Sequence, residues 1–539
     1  MTFERAGAVM KRYDVIVVGA GPAGLTASIE AAKNGLKVVV FDENAKPGGQ
    51  LFKQIHKFFG SKEHKAKMRG FKIGDELLKT ASEVGVEVVL NATVIGIFPD
   101  KEVTVNIEDQ LIHYKGDAII VATGATENMV TFEGWTLPGV IGAGAAQTMM
   151  NLHSVKPGNK VLMLGSGNVG LVVSYQLLQA GCEVVAVIDA APRIGGYGVH
   201  ASKVTRCGVP FYLSHTIIKA EGDTRVTGVT VGEVDGNWQI IEGTQKYFEA
   251  DTICLAVGLS PMSQLLKMAG CTMEQDPKKG GLVPVCNQYG ETSISGIFVA
   301  GDVSGIEEAS SAMIEGKISG IAAAYSLGYI DEESLVTKAK VLEASLRSLR
   351  QGMFAPENRG KILDKTEEGY DISMNLLKRG YLTEEEVESY PGVKSKKGIH
   401  PVIECSQNIP CNPCQDACSK KCILIGEKIT SLPVVDKEAT CTGCGMCVAA
   451  CSGQSIFLVD ESQEEGYTYI TIPYEFLPLP KKGDIGLALN RSGSEVGQAE
   501  VVKVKTAKAY DHTHLLTIKV PTELGLKVRF FKQLQEVLV

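Results

Sequence analysis

The chain has 539 residues, 44% of them hydrophobic and 22% charged, with a formal net charge of −8. That length implies several domains, and the hydrophobic content gives each a core. A net negative chain presents no electrostatic surface for nucleic acid or an anionic membrane, so neither is expected as a partner.

The opening residues, MTFERAGAVMKRYD, hold no apolar signal core, and no uninterrupted apolar run is long enough to span a bilayer. A cytoplasmic protein without a transmembrane segment is expected. Tyr13–Val18 (YDVIVV) reads as a buried strand, and GAGPAG follows it. Gly19, Gly21 and Gly24 then form G-x-G-x-x-G, an alanine-rich helix comes next, and the strand KVVVFD ends at Asp42. Strand, glycine turn, helix and terminal carboxylate in this register make a dinucleotide site. The first glycine allows the turn, the second lets the backbone approach a pyrophosphate, the third lets helix and strand pack, and the carboxylate takes a ribose hydroxyl.

In KPGGQL, Gly49 permits another close backbone approach, and Gln50 offers a hydrogen bond to a flavin edge. The segment from Lys53 to Lys72 (KQIHKFFGSKEHKAKMRGFK) is strongly basic. It reads either as a solvated loop or as an anion site, for a cofactor phosphate or for an acidic partner surface. His56 and His64 read as surface histidines. AIIVATGA is a strand ending in a small-residue turn at Thr123 and Gly124.

The central stretch KVLMLGSGNVGLVVSYQLLQAGCEVVAVID repeats the pattern with Gly165, Gly167 and Gly170, and Asp189 ends its second strand. Asp189 favours the free 2′-hydroxyl of NAD over the phosphate of NADP, while Arg193 works the other way. Far downstream, TSISGIFVAGDVSG carries Gly301 and Asp302 at a strand's carboxyl end, where α/β sheets place ligands. The pieces of one nucleotide site therefore flank another, and the central domain reads as an insertion.

Together these stretches resemble the flavoproteins with two dinucleotide-binding domains, over residues 12–330. The resemblance implies FAD in the first unit, with Asp42 on its adenosine ribose and Asp302 on its ribityl chain, and a pyridine nucleotide in the central unit. Thioredoxin-reductase-like members carry C-x-x-C in the central domain. Here Cys182, Cys207, Cys254 and Cys271 are not so paired, so a dithiol reductase is not expected. LPGVIGAGAAQ, Leu137 to Gln147, resembles a segment of the alpha subunits of heteromeric sarcosine oxidase and dye-linked L-proline dehydrogenase, and of the HcnB-type chain of hydrogen cyanide synthase. That resemblance implies a second flavoprotein subunit that oxidises an amine or amino acid.

Residues 331–400 lose the glycine pattern and read as a helical connector, with Thr383 an N-cap. Nine of the 14 cysteines then fall between Cys405 and Cys451. Such clustering in a chain without a secretory signal points to metal rather than disulfides. Cys441, Cys444, Cys447 and Cys451 give C-x-x-C-x-x-C-x-x-x-C, the iron–sulfur run of two-cluster ferredoxins, whose fourth cysteine serves the other cluster. Cys405, Cys411, Cys414 and Cys418 form a second half with a widened first gap. The expected assignment is Cys405, Cys411, Cys414 and Cys451 on one 4Fe-4S cluster, and Cys441, Cys444, Cys447 and Cys418 on the other. Ser419 and Ser452 stand where the usual proline follows the fourth cysteine, and Cys422 is an alternative ligand. A single cluster is the competing reading. From Tyr467 onward, alternating segments between turns read as a small antiparallel β-barrel with a docking role.

The expected fold class is α/β, with two Rossmann-like dinucleotide-binding domains. The FAD-binding domain takes 12–130 and 276–330, the NAD(P)-binding domain 131–275, the helical connector 331–400, the ferredoxin-like domain 401–462 and the β-barrel 463–539. NAD(H) moves two electrons at once and iron–sulfur clusters take one, so a flavin belongs between them. The chain reads as an FAD-dependent, NAD(P)-linked oxidoreductase, the electron-transfer subunit of a heteromeric amine or amino-acid dehydrogenase. Its expected partners are a ferredoxin-type electron carrier and a second flavoprotein subunit. The alternatives are a self-contained NAD(P)H:acceptor reductase, or a non-catalytic electron-wiring module with ATP in the central site. FMN at a subunit interface is a further cofactor candidate. No catalytic acid, base or nucleophile set accompanies the motifs.

Overall fold

The computed structural model describes residues 10–352, 355, 370–393 and 398–534. Most of the opening stretch, where no signal core is expected, and parts of the connector lie outside the described residues.

The first domain is built on a seven-stranded sheet. Glu87–Val89, Val38–Phe41, Lys11–Val18, Gln110–Val121 and Ile297–Val299 run parallel, and Glu102–Ile107 and Ala92–Ile97 add an antiparallel meander. Val15, Ile16, Val17 and Val18 are buried on both faces, as a continuous apolar run in a parallel sheet requires. The strand Ile297–Val299 pairs with Ile119–Val121, so the chain returns to complete the sheet it left. Helices Pro22–Lys33 and Ala309–Ser326 pack together on one face of it.

The inserted domain holds a five-stranded parallel sheet in the order Phe211–Leu213, Glu183–Asp189, Lys160–Leu164, Thr252–Leu255, Val140–Gly142. A three-stranded antiparallel sheet, His215–Glu221, Gly228–Glu233 and Lys246–Glu249, covers part of it. The two chain crossings between the domains lie side by side, Ala125–Glu127 pairing antiparallel with Leu259–Pro261. Leu266, Ala269 and Cys271 are buried in the first domain's core. The insertion therefore closes near Pro261, earlier than the expected boundary at 275, because the apolar face of Gln264–Met268 belongs to the other sheet.

In the connector, helix Glu332–Leu349 begins at Asp331, whose carboxylate accepts from Ser334 N–H at 2.9 Å, and packs on the first domain through Leu335 and Ala339. Thr383 caps Glu384–Glu388 in a capping box with Glu386.

The last sheet has seven antiparallel strands in the order His400–Ile403, Ile456–Asp460, Tyr467–Tyr474, His514–Pro521, Glu495–Lys505, Ile485–Leu489, Phe530–Gln533. Its first two strands come from the cysteine-rich segment. One sheet thus runs across the expected boundary at 462/463, and its pairing is traced as an open path among the described residues. Buried Glu404, beside Cys405, clasps this sheet through Arg491 and Arg529, and these two guanidinium groups hold its carboxyl down at about 2 against the cost of burial. Among the described residues no helix is long and apolar enough to cross a membrane.

Candidate functional site

The two glycine turns are the same device. At Gly19, φ is +102°, and a Cβ there would stand 2.5 Å from the Ala122 carbonyl oxygen; at Gly165, φ is +110°, and the clash is with Ala256 O at 2.2 Å. A Cβ on Gly24 would sit 1.8 Å from Gly19 O, and one on Gly170 would sit 2.0 Å from Gly165 O. Those four positions are closed by the protein itself. Gly21 and Gly167 are different: a Cβ on either meets nothing within 4 Å. They face open space at the N-termini of Pro22–Lys33 and Asn168–Gln179, whose first backbone N–H groups are free for an anion.

Each turn is backed by its strand-end carboxylate. Asp42, buried, accepts from Ala20 N–H at 2.6 Å and from Asn44 N–H at 2.8 Å. Asp189 accepts from Ser166 N–H at 2.7 Å, from the Ser166 hydroxyl at 2.5 Å and from Ala191 N–H at 2.9 Å. Both carboxylates thus hold the residue after the first glycine of the turn.

Around the first turn the structure gathers the other expected residues. A Cβ on Gly49 would lie 2.9 Å from Gly21 Cα, so the GGQ segment passes directly over the turn, with Gln50 exposed. Gly301, φ +78°, packs on Ala23 and donates its N–H to Glu315 at 2.9 Å. Asp302 accepts from Glu307 N–H at 3.1 Å. Thr123 donates to Met262 O at 2.8 Å and Gly124 O accepts from Met262 N–H, so this pair fastens the interdomain crossing. Sequence reasoning missed the cluster behind Gly301. Burial, and then the charge of Glu307, push the Glu315 carboxyl up to about 7, and Arg350 from the connector bonds both glutamates. No local signal marks Arg350.

The segment LPGVIGAGAAQ forms the edge strand Val140–Gly142 and the short helix Ala143–Gln147. Glu127 at the crossing accepts from Gly144 N–H at 2.7 Å, and a side chain on Gly142 would collide with it. The glycines therefore serve the joint between the domains.

The basic stretch corrects both expectations placed on it. It is neither a solvated loop nor an exposed anion site, but a strap between the first domain and the C-terminal half. Lys57 and Arg69 are each only 5% exposed. Lys57 Nζ donates to Ala449 O, Tyr510 O and the Thr513 hydroxyl at 2.6, 2.8 and 2.8 Å. Arg69 donates to Glu475 at 2.9 Å and to Asp511 O at 2.6 Å. His64 is buried against Ser345, not at the surface. His56 stacks on Phe58, and burial pushes its imidazole down to about 3. Of Lys57, Lys62, Lys65 and Lys67, only Lys62 and Lys67 are exposed.

The strap touches the cysteine-rich segment directly. Gly60 O accepts from Asn412 N–H at 3.1 Å, and Ser452 donates to Phe58 O at 2.7 Å. Helices Pro413–Ala417 and Met446–Ala450 pack side by side there and bring the thiols into two groups. Burial raises the Cys411 thiol, and the neighbours that raise it further are Cys414, Cys451 and Cys405. Burial also raises Cys447, with Cys441, Cys418 and Cys444 its neighbours. Cys418, Cys441, Cys444 and Cys447 line one cavity, with buried Cys422 on its wall. Backbone N–H groups point at the sulfurs, from Gly443 to Cys441 and from Ser455 to Cys451 at 3.4 Å each, and from Cys422 to Cys418 at 3.2 Å. Among the described residues no group of three or more His, Cys, Asp or Glu could hold a single metal ion.

Two open glycine turns on two parallel sheets, the second sheet inserted into the first, define a flavoprotein with two dinucleotide-binding domains. The chain belongs to the pyridine nucleotide-disulphide oxidoreductase family, whose sequence profile matches residues 13–316. It is 30% identical to the A subunit of opine oxidase from Rhizobium meliloti over 362 residues, 63% of this chain and 68% of that one. The HcnB subunit of hydrogen cyanide synthase from Pseudomonas aeruginosa is 28% identical over 57% of this chain and 69% of its own length. The alpha subunit of sarcosine oxidase from Corynebacterium sp. (strain P-1) is 26% identical over 59% of this chain and 33% of its own length. The family implies FAD and a pyridine nucleotide, and these relatives are subunits of larger oxidases or synthases. The cysteine-rich segment and the last sheet lie outside the profile match.

Proposed function

We propose that this chain is the electron-transfer subunit of a heteromeric amine or amino-acid dehydrogenase, linking NAD(H), FAD and two 4Fe-4S clusters. The observation that carries the reading is the grouping of the thiols. Cys451 lies with Cys405, Cys411 and Cys414, and Cys418 lies with Cys441, Cys444 and Cys447, the exchange of fourth cysteines that two-cluster ferredoxins use. A cubane has four irons, each taking one thiolate, so its ligands need not converge on one point as around a single ion. N–H groups aimed at the sulfurs suit such a site.

Gly21, Gly49 and the N-terminus of Pro22–Lys33 would hold the FAD pyrophosphate, with Asp42 on the adenosine ribose and Asp302 on the ribityl chain. Gly167 and Asp189 would hold NAD in the same way. When bound, FAD supplies the exchange between hydride transfer and single-electron transfer. The first thiol group packs against the strap that follows the GGQ segment, so the protein itself joins the two redox regions. The substrate amine is oxidised on a second flavoprotein subunit, because no acid, base or nucleophile set accompanies the flavin turn. A ferredoxin-type carrier takes electrons at the second thiol group, where Cys444 is exposed.

Anaerobically purified protein tests this. It should contain about eight irons per chain, and NADH should bleach its flavin. About four irons would remove one cluster; protein free of iron would overturn the reading.

A further inference from the structure

Beside Cys451 the structure buries more positive charge than negative. Lys57, Arg69, Lys203 and Arg206 are each 5% exposed or less. They come from the strap and from the inserted domain, and they converge on the end of helix Met446–Ala450. Lys57 binds the Ala449 carbonyl, two residues before Cys451. Arg206 lies over the Phe457 ring and reaches Gln454 at 3.5 Å. Lys203 lies 4.3 Å from the Tyr175 ring centroid. Lys57, Lys203 and Cys451 line one small cavity. The carboxylates facing them are Glu475, which pairs with Arg69, and Asp511, which is shared with half-exposed Lys72.

Four buried cations against two carboxylates leave an excess of two. Uncompensated charge in a protein interior is costly, and an anion beside it removes the cost. The neighbouring thiol group supplies such an anion only when its four sulfurs bind as thiolates to a cluster, which then carries net negative charge. By contrast the second thiol group opens to solvent at Cys444, where water screens it.

We propose that this buried cation excess is the counter-charge of the cluster held by Cys405, Cys411, Cys414 and Cys451, and that Lys57 is a positioning residue setting that cluster's reduction potential. The inference rests on the iron–sulfur reading above. Accepting an electron makes the cluster more negative, so nearby cations favour the reduced form.

The test is an EPR-monitored redox titration of the full chain, with the first cluster's signal assigned as the one lost in Cys411→Ala. Lys57→Met should lower the equilibrium constant for reducing that cluster at least tenfold, about 59 mV for one electron, and leave the other cluster unchanged. Lys57→Arg should restore it. Lys203→Met, from a separate segment, should shift the same cluster in the same direction. Selective loss of the first cluster's iron in Lys57→Met, reversed in Lys57→Arg, would also support the counter-charge role. Wild-type protein without iron would sink the cluster reading itself. Two intact clusters whose midpoints ignore both methionine substitutions would overturn this inference alone.

Discussion

The Lys57 ammonium donates to the Ala449 carbonyl oxygen at 2.6 Å across 392 residues of chain. This contact ties the strap behind the flavin turn to the helix that leads into Cys451. It means that the nucleotide-binding half and the cysteine-rich half share buried polar partners rather than a solvated linker. Arg69 does the same for the last sheet through Glu475 and Asp511.

That second tie gives a stability prediction. Glu475→Gln leaves Arg69 buried with a neutral partner, and should cost about 3–5 kcal/mol, the usual penalty for breaking a buried pair. Lower urea midpoints for the strap and the last sheet, followed by hydrogen exchange, would register it. An unchanged midpoint would mean that water, not Glu475, solvates Arg69.

The two kinds of glycine should respond oppositely to alanine. Gly24→Ala places a methyl 1.8 Å from Gly19 O and should prevent a stable fold. Gly21→Ala meets nothing within 4 Å, so the flavin-free protein should melt as wild type while FAD affinity falls at least tenfold, about 1.4 kcal/mol. Gly170→Ala and Gly167→Ala should repeat the contrast for the nicotinamide nucleotide. Flavin content and thermal melts of the four variants decide it.

Nucleotide choice should follow Asp189. Its carboxylate is held by Ser166 at the mouth of the second turn and should repel a 2′-phosphate. NADH should reduce the flavin faster than NADPH, and Asp189→Ser should narrow the difference. Stopped-flow reduction with both nucleotides measures this, and faster reduction by NADPH in the wild type would refute it.

Glu315 predicts a pH dependence. Burial, then Glu307, raise its carboxyl to about 7, above the roughly 4.3 of an unfolded glutamate. The folded state therefore binds the proton more tightly, and its stabilising contribution is complete below about 4.3 and lost as pH rises to about 7. Melting temperatures between pH 5 and pH 8 should show the wild type losing stability relative to Glu315→Gln as pH rises to about 7, with no further change above it. Parallel profiles would show that Glu315 is already ionised.

Cys444→Ala and Cys411→Ala should each remove about half of the iron, and each should loosen its own side of the segment, because bound metal is folding free energy there. Iron analysis with proteolysis of the variants would show it. Equal iron in both variants and wild type would remove these cysteines from the ligand set.

Much of the architecture was legible in short stretches of sequence. A glycine turn, its helix and its terminal carboxylate lie within about thirty residues, and sterics of the local backbone decide their conformation. That is why the spacing alone distinguishes Gly19, Gly24, Gly165 and Gly170, which serve the turn and its packing, from Gly21 and Gly167, which leave room for a ligand. The Thr383 cap was readable for the same reason. Burial of a charged side chain is different, since it depends on partners that the chain brings from elsewhere. Nothing within Lys53–Lys72 distinguishes a solvated lysine from Lys57, whose acceptors come from residues 449, 510 and 513. Arg350 beside Glu315, the sheet shared across 462/463, and the closure of the insertion near Pro261 are likewise decided by packing between distant segments. Local pattern determined which residues could bind nucleotides and metal; only the tertiary structure decided which charges are taken out of water beside them, because that choice belongs to the surfaces that meet.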